Sequence, residues 1–212
     1  MAADLARSLK RPHVFKLAEN VAAAQTIVLL HGTGADERDL LSLGKALDPN
    51  ANLLSPRGMA HYRGMDRFFI RTDDGVFDQD SLYLGISQLK DFLTEAFFEY
   101  GIDESRVWLA GFSNGASMAH SVLQLHPELA LGVAAFGTNK VLSKAPVPAP
   151  ALAGKRVFIA NGAADEYSPA ETVAELIGQL ESYGAQVDYM LHPGGHSIVM
   201  EHVRRISAEI TR

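Results

Sequence analysis

The sequence predicts an α/β fold, a mostly parallel central sheet with helices on both faces, in one domain over residues 1–212. Three observations predict it. Uninterrupted apolar runs such as Thr26-Ile27-Val28-Leu29-Leu30 are what a strand buried on both faces looks like. These runs alternate with segments whose apolar residues recur at helical spacing, the mark of βαβ units. Gly111-Phe112-Ser113-Asn114-Gly115 stands between one such run and one such helix, which is the strand–turn–helix setting of a G-x-S-x-G turn.

In chain order, His13 to Leu17 reads as an edge strand and Thr26 to Leu30 as a buried one. His31-Gly32-Thr33-Gly34 ends that strand, and Asp36 to Leu47 reads as a helix. Asn52-Leu53-Leu54-Ser55 is a short strand stopped by Pro56, and Arg57 to Asp80 is irregular, rich in Gly, Arg, Asp and Phe. A long helix follows, because Leu82, Ile86, Leu89, Leu93, Ala96, Phe97 and Tyr100 fall on one face and Gly101 closes it. Val107 to Ala110 is a strand, Ala116 to Leu125 a helix and Gly132 to Phe136 a strand. Val141 to Pro150 holds three prolines and reads as a surface loop within the one domain. Arg156 to Ala160 is a strand, Ser168-Pro169 opens a helix to about Tyr183, Gln186 to Leu191 is the last strand and Ser197 to Ile210 the last helix.

Composition narrows the function classes. A net charge of −6 with both signs interspersed leaves no basic face for nucleic acid. With no cysteine there is no disulfide, thiolate metal site or cysteine nucleophile, which agrees with a reducing compartment. Met1 to Pro12 lacks an apolar core and cleavage site for a secretory leader, and no apolar run approaches the ~18 residues that span a bilayer. The expected location is the cytoplasm.

In an open parallel sheet, function gathers in loops at the carboxyl ends of the strands. Glycines two before and two after Ser113 let the turn tighten and the serine adopt a strained backbone that raises its hydroxyl above the sheet edge. A serine nucleophile needs a base, and the base an orienting acid, from loops after later strands. The Arg156 strand ends in Asn161-Gly162-Ala163-Ala164-Asp165-Glu166, offering Asp165 as the acid, with Glu166 as an alternative and turn capping as its ordinary role. The Gln186 strand ends in His192-Pro193-Gly194-Gly195-His196, offering His196 as the base, where the other reading is the cap of the last helix. The oxyanion donors expected are the backbone amides of Asn114, at a helix start, and Thr33, after the first buried strand. His31 is expected to brace its loop and His192 to bond locally, while His126 reads as a helix-end residue. His13, His61, His120 and His202 lack metal-ligand spacing, so neither metal nor cofactor is expected.

These residues resemble the acyl-protein thioesterase, carboxylesterase and phospholipase group of small α/β-hydrolases. The matching pieces are Leu30-His31-Gly32-Thr33-Gly34-Ala35-Asp36, Ser55-Pro56-Arg57-Gly58, Met65-Asp66-Arg67-Phe68-Phe69, the Ser113 pentapeptide, Asn161 to Asp165 with Pro169, and Gly195-His196. The resemblance implies an α/β-hydrolase fold without a large lid, a Ser113–His196–Asp165 triad, and Thr33 and Asn114 amides as oxyanion hole. The thioesterases usually carry Gln after the nucleophile, His at the start of the acid loop and Val before its proline. Asn114, Asn161 and Ser168 stand there instead, which looks closer to the bacterial carboxylesterase branch.

The expected substrate is a small-molecule or single-chain carboxylic ester, with thioesters admitted. Arg57 to Asp80 is expected to overlie the nucleophile, with Met59, Met65, Phe68 and Phe69 walling an acyl pocket or the two phenylalanines plugging the core. Arg57, Arg63, Arg67 and Arg71 either meet an acidic substrate group or pair with Asp66, Asp73 and Asp74. The short stretch between the Gly132 and Arg156 strands has no room for a large helical lid, which disfavours a lipase of emulsions. Rival readings on the same scaffold are non-catalytic ligand binding, perhydrolysis and C–C hydrolysis. A homodimer is compatible with apolar surface near the rim.

Overall fold

The structure is a computed structural model that describes residues 9–19, 24–143 and 151–212. Most of Met1–Pro12 and the prolines of the 141–150 loop lie outside the described residues. Strands β1 (His13–Lys16), β2 (Thr26–Leu30), β3 (Asn52–Pro56), β6 (Val107–Phe112), β7 (Gly132–Phe136), β8 (Arg156–Gly162) and β9 (Gln186–His192) form one sheet in the order β1-β3-β2-β6-β7-β8-β9. Only the β1 edge is antiparallel. A two-stranded hairpin, β4 (Ala60–Tyr62) and β5 (Met65–Arg67), stands apart from it.

Alternation along the strands sorts the core into two layers. Val28, Leu30, Leu109, Val133 and Ile159 face helices α2 (Gln79–Tyr100), α3 (Asn114–Leu125) and α4 (Ala170–Ser182), meeting Ile86, Leu89, Val122 and Leu176. Ile27, Leu29, Trp108, Ala134 and Phe158 face α1 (Leu41–Leu47) and α5 (Met200–Ile210), meeting Leu43, Leu47, Val203 and Ile206. This is the α/β-hydrolase architecture. No helix among the described residues is long and apolar enough to cross a membrane.

Local chemistry moves several predicted boundaries. The Asp36–Leu47 helix starts only at Leu41, because the Asp36 carboxylate accepts the Arg38 N–H at 2.8 Å and holds residues 36–40 in turns. The last helix starts at Met200 rather than Ser197, whose carbonyl accepts from the His192 ring at 3.2 Å while Val199 stays extended. Ser168-Pro169 precedes α4 instead of entering it, since Pro169 has extended backbone at ψ 138°. Helix α2 starts earlier than its apolar stripe, at an Asp78 cap that accepts the Ser81 N–H at 2.9 Å. The segment read as irregular contains the β4–β5 hairpin, turned by Arg63 and Gly64 with φ 52° and 75°.

Candidate active site

Register brings the loops to one height. Leu30 of β2 pairs with Gly111 of β6, Phe112 with Phe136, Phe136 with Ala160, and Gly162 with His192. The chain segments after these residues therefore leave the sheet side by side. Ser113 sits at the sharp exit from β6 with φ 53° and ψ −118°, a strained conformation for a residue with a side chain. Its N–H donates to the Phe136 carbonyl at 2.9 Å, which anchors the strained residue to the neighbouring strand. The flanking glycines make the turn possible: a Cβ on Gly111 would lie 2.5 Å from the Gly115 carbonyl carbon, and one on Gly115 would overlap the Leu30 carbonyl.

His196 Nδ1–H donates to Asp165 Oδ2 at 2.7 Å, and the Asp165 side chain is fully buried. The other carboxylate oxygen accepts the Tyr167 N–H at 2.9 Å, so both oxygens are held. Glu166, the alternative acid, is exposed and has no bond to His196. The imidazole lies between Phe112 and Tyr167, with ring centroids 4.8 and 5.1 Å away. Ser113 and His196 line the same cleft of about 530 Å³. No hydrogen bond joins them among the described residues; contacts of this kind tighten when substrate is bound.

Thr33 and Asn114 also line the cleft. The Asn114 amide opens α3, where the first-turn N–H groups have no intrahelical acceptor. The Thr33 loop is held from two directions. Gly34 N–H donates to the Asp66 carbonyl at 2.9 Å, and His31 is buried with Nδ1–H donating to Gly32 O at 2.7 Å and Nε2 accepting the Gly58 N–H at 2.9 Å. Burial pushes the His31 imidazole below its ordinary pKa, so it braces the loop as a neutral ring. Arg57 clamps Glu37 with bonds of 2.5 and 3.0 Å, and that contact holds the Glu37 carboxyl below its usual range.

Of the residues expected to wall an acyl pocket, Met65 and Phe69 line the cleft and Phe68 does not. Phe68 packs in the core with its ring centroid 5.0 Å from that of His31. Along β5, alternation puts Met65 and Arg67 in the cleft lining while Asp66 turns to Arg57 and His61; Phe68 and Phe69 follow in a bend. Met59 lies outside the lining. His192 bonds locally, accepting from Gly194 N–H at 3.1 Å.

Sequence reasoning missed three contributors. The Asn114 side chain bonds the backbone of Phe68 (2.7 Å) and Phe69 (3.0 Å), tying the cleft wall to the helix that follows Ser113. Asn161 brackets the Thr138 backbone on both sides, at 3.0 and 2.9 Å. Asn139 donates to the Tyr167 carbonyl at 3.2 Å and so braces the ring beside His196. No local pattern signals these, because each amide's partner is distant in sequence. A second hollow of about 590 Å³, lined by Gln25, Asp48, Arg106 and Ile210, lies at the opposite strand ends and contains none of these groups.

Comparison with known proteins gives a consistent result. Residues 15–212 match the model of the phospholipase/carboxylesterase family. MhqD of Bacillus subtilis (strain 168), named a hydrolase, is 36% identical over 88% of this chain and 92% of its own length. The crystal structure of a Bacillus cereus carboxylesterase superposes with TM-score 0.91 at 32% identity, covering 99% of this chain and 97% of that one. A carboxylesterase from Mesorhizobium loti gives TM-score 0.81 at 32% identity over 88% of each chain.

Proposed function

The chain belongs to the phospholipase/carboxylesterase family of hydrolases, and we propose that it cleaves carboxylic esters, and thioesters, of small or single-chain acyl substrates through Ser113, His196 and Asp165. The observation that carries this reading is the 2.7 Å His196–Asp165 contact on a wall shared with a strained serine. In the proposed reaction His196 Nε2 removes the Ser113 proton as Oγ attacks the carbonyl carbon. Asp165 fixes the tautomer that leaves Nε2 free and stabilises the imidazolium. The Thr33 and Asn114 amides receive the oxyanion, and collapse expels the alcohol or thiol, which takes the proton from His196. Water, deprotonated by His196, then attacks the acyl-serine and releases the acid. The cleft's mixture of Met65, Phe69, Phe77 and Phe112 with polar groups suits a modest acyl chain.

The test is Ser113→Ala assayed on p-nitrophenyl acetate and butyrate. Turnover is expected to fall by several orders of magnitude, about 10⁶ by analogy with a serine hydrolase of known energetics, with the fold intact by circular dichroism. Labelling by a fluorophosphonate probe is expected at Ser113 and lost in the variant. Wild-type turnover by Ser113→Ala refutes the assignment.

A further inference from the structure

Four arginines precede or enter the cleft, and their partners divide them into two kinds. Arg57 is committed to Glu37, with Asp66 3.8 Å away, and Arg63 pairs with Asp73. Arg67 and Arg71 both line the cleft with Ser113 and His196, and neither pairs with a carboxylate among the described residues. Arg67 is 5% exposed, and its Nε is buried without a hydrogen-bond partner. Its guanidinium lies 5.6 Å from the centre of the Tyr62 ring. Arg71 donates from Nε to the Gly75 carbonyl at 3.0 Å and packs over Phe77, so its position is fixed while its terminal nitrogens stay uncommitted to any acid. The cleft's one carboxylate, Asp39, pairs with neither.

A guanidinium taken out of water without a counter-charge is destabilising, and a site that keeps one is complementary to an incoming anion. Strand β5 sets this up: the alternation that turns Asp66 toward Arg57 puts Arg67 in the lining of the cleft that holds Ser113, separating the cation from its neighbouring acid. A planar guanidinium matches a carboxylate through two parallel N–H donors.

We propose that Arg67, assisted by Arg71, is an anion-recognition site of the active-site cleft and that the substrate is an ester bearing a carboxylate. This rests on the hydrolase reading of the same cleft. The anion takes no part in bond making; it is held by charge and orients the scissile carbonyl toward Ser113.

The test uses two substrate pairs, with uncatalysed rates subtracted. Mono-p-nitrophenyl succinate against its methyl ester places the charge on the acyl side; 4-butyryloxybenzoate against its methyl ester places it on the leaving group. The wild-type chain is expected to favour the charged member of at least one pair by about 10-fold or more in kcat/KM. That preference is expected to shrink as salt is raised. Arg67→Gln is expected to lower the charged-to-neutral ratio by about 10- to 100-fold, and Arg67→Lys to restore part of it. Use of the ratio cancels any general damage to the site, and the wild-type arm decides the matter even where a variant fails to fold. Turnover of the neutral esters with no charged preference overturns this inference alone, as does an unchanged ratio in Arg67→Gln. Failure of the wild-type chain on all four esters overturns the hydrolase reading and this one with it.

Discussion

Replacing Asn114 by alanine separates two roles held by one residue. The backbone amide, the proposed oxyanion donor, survives the change. The side chain, which accepts the Phe68 N–H at 2.7 Å and donates to the Phe69 carbonyl at 3.0 Å, is lost. Phe68 and Phe69 are buried, so water cannot simply replace the amide. Each buried backbone group left unpaired costs about 1–3 kcal/mol. The adjacent cleft lets some water approach, so the sum is expected near the lower end, about 2–4 kcal/mol of unfolding free energy. The expected functional consequence is a looser wall, because the same segment brings Met65, Arg67 and Phe69 into the cleft lining. Urea unfolding and steady-state kinetics on a p-nitrophenyl ester measure both. The expected result is the stability loss with a raised KM, and a fall in kcat well short of the ~100- to 1000-fold that follows loss of an oxyanion donor. A stability change below about 0.5 kcal/mol, the scale of an ordinary surface substitution, would refute the clamp. A 1000-fold loss of kcat with unchanged stability would show instead that the side chain acts directly on the reacting atoms.

Two other outcomes follow from groups behind and within the cleft wall. His120 is fully buried, with Nε2–H donating to the Asn139 carbonyl at 3.1 Å and Nδ1 accepting from the Gln124 amide at 3.2 Å, and burial lowers its pKa from 6.5 to about 4. The folded state stays neutral while the unfolded chain takes up a proton, so this contribution is intact above pH 6.5 and lost as pH falls toward 4: about 2 kcal/mol by pH 5 and about 3 by pH 4. Urea titrations of wild type and His120→Gln across that range are expected to converge as pH drops; parallel curves count against a buried neutral imidazole. Gly137 has φ 62°, and a Cβ there would lie 2.8 Å from His196 Cε1. Gly137→Ala therefore combines a left-handed penalty of roughly 1–2 kcal/mol with displacement of the base, and kcat is expected to fall about 10- to 100-fold, as misplacing a catalytic group by an ångström does. Near-normal kcat in a folded Gly137→Ala would place His196 elsewhere during catalysis.

The strands were legible because burial on both faces leaves only apolar residues to choose, as in Ile27 to Leu30 and Val133 to Phe136. The site positions were legible for a related reason. A parallel sheet brings its strand ends to one edge, so placing Ser113, Asp165 and His196 after their strands was enough to expect them near one another. What the sequence hid depends on side chains meeting across long separations. The start of α1 was misplaced because helical periodicity is blind to the Asp36 turn and to Glu37 being drawn across to Arg57. The β4–β5 hairpin was missed because its turn carries arginine at a positive φ, where asparagine or glycine is the usual signal.

The same limit governed the arginines. Composition sets three acids, Asp66, Asp73 and Asp74, near them and leaves pairing open, because pairing depends on which way each residue of β5 faces. With period two, Asp66 turns away from the cleft once Met65 and Arg67 line it. One parity choice thus decides together that the Asp66 side chain meets Arg57 and that Arg67 lines the cleft without a paired carboxylate among the described residues. The Asn114 side chain bonds the two residues that follow this strand, so the wall carrying Arg67 is joined directly to the helix that begins after Ser113, and Asn114→Ala is expected to disturb both.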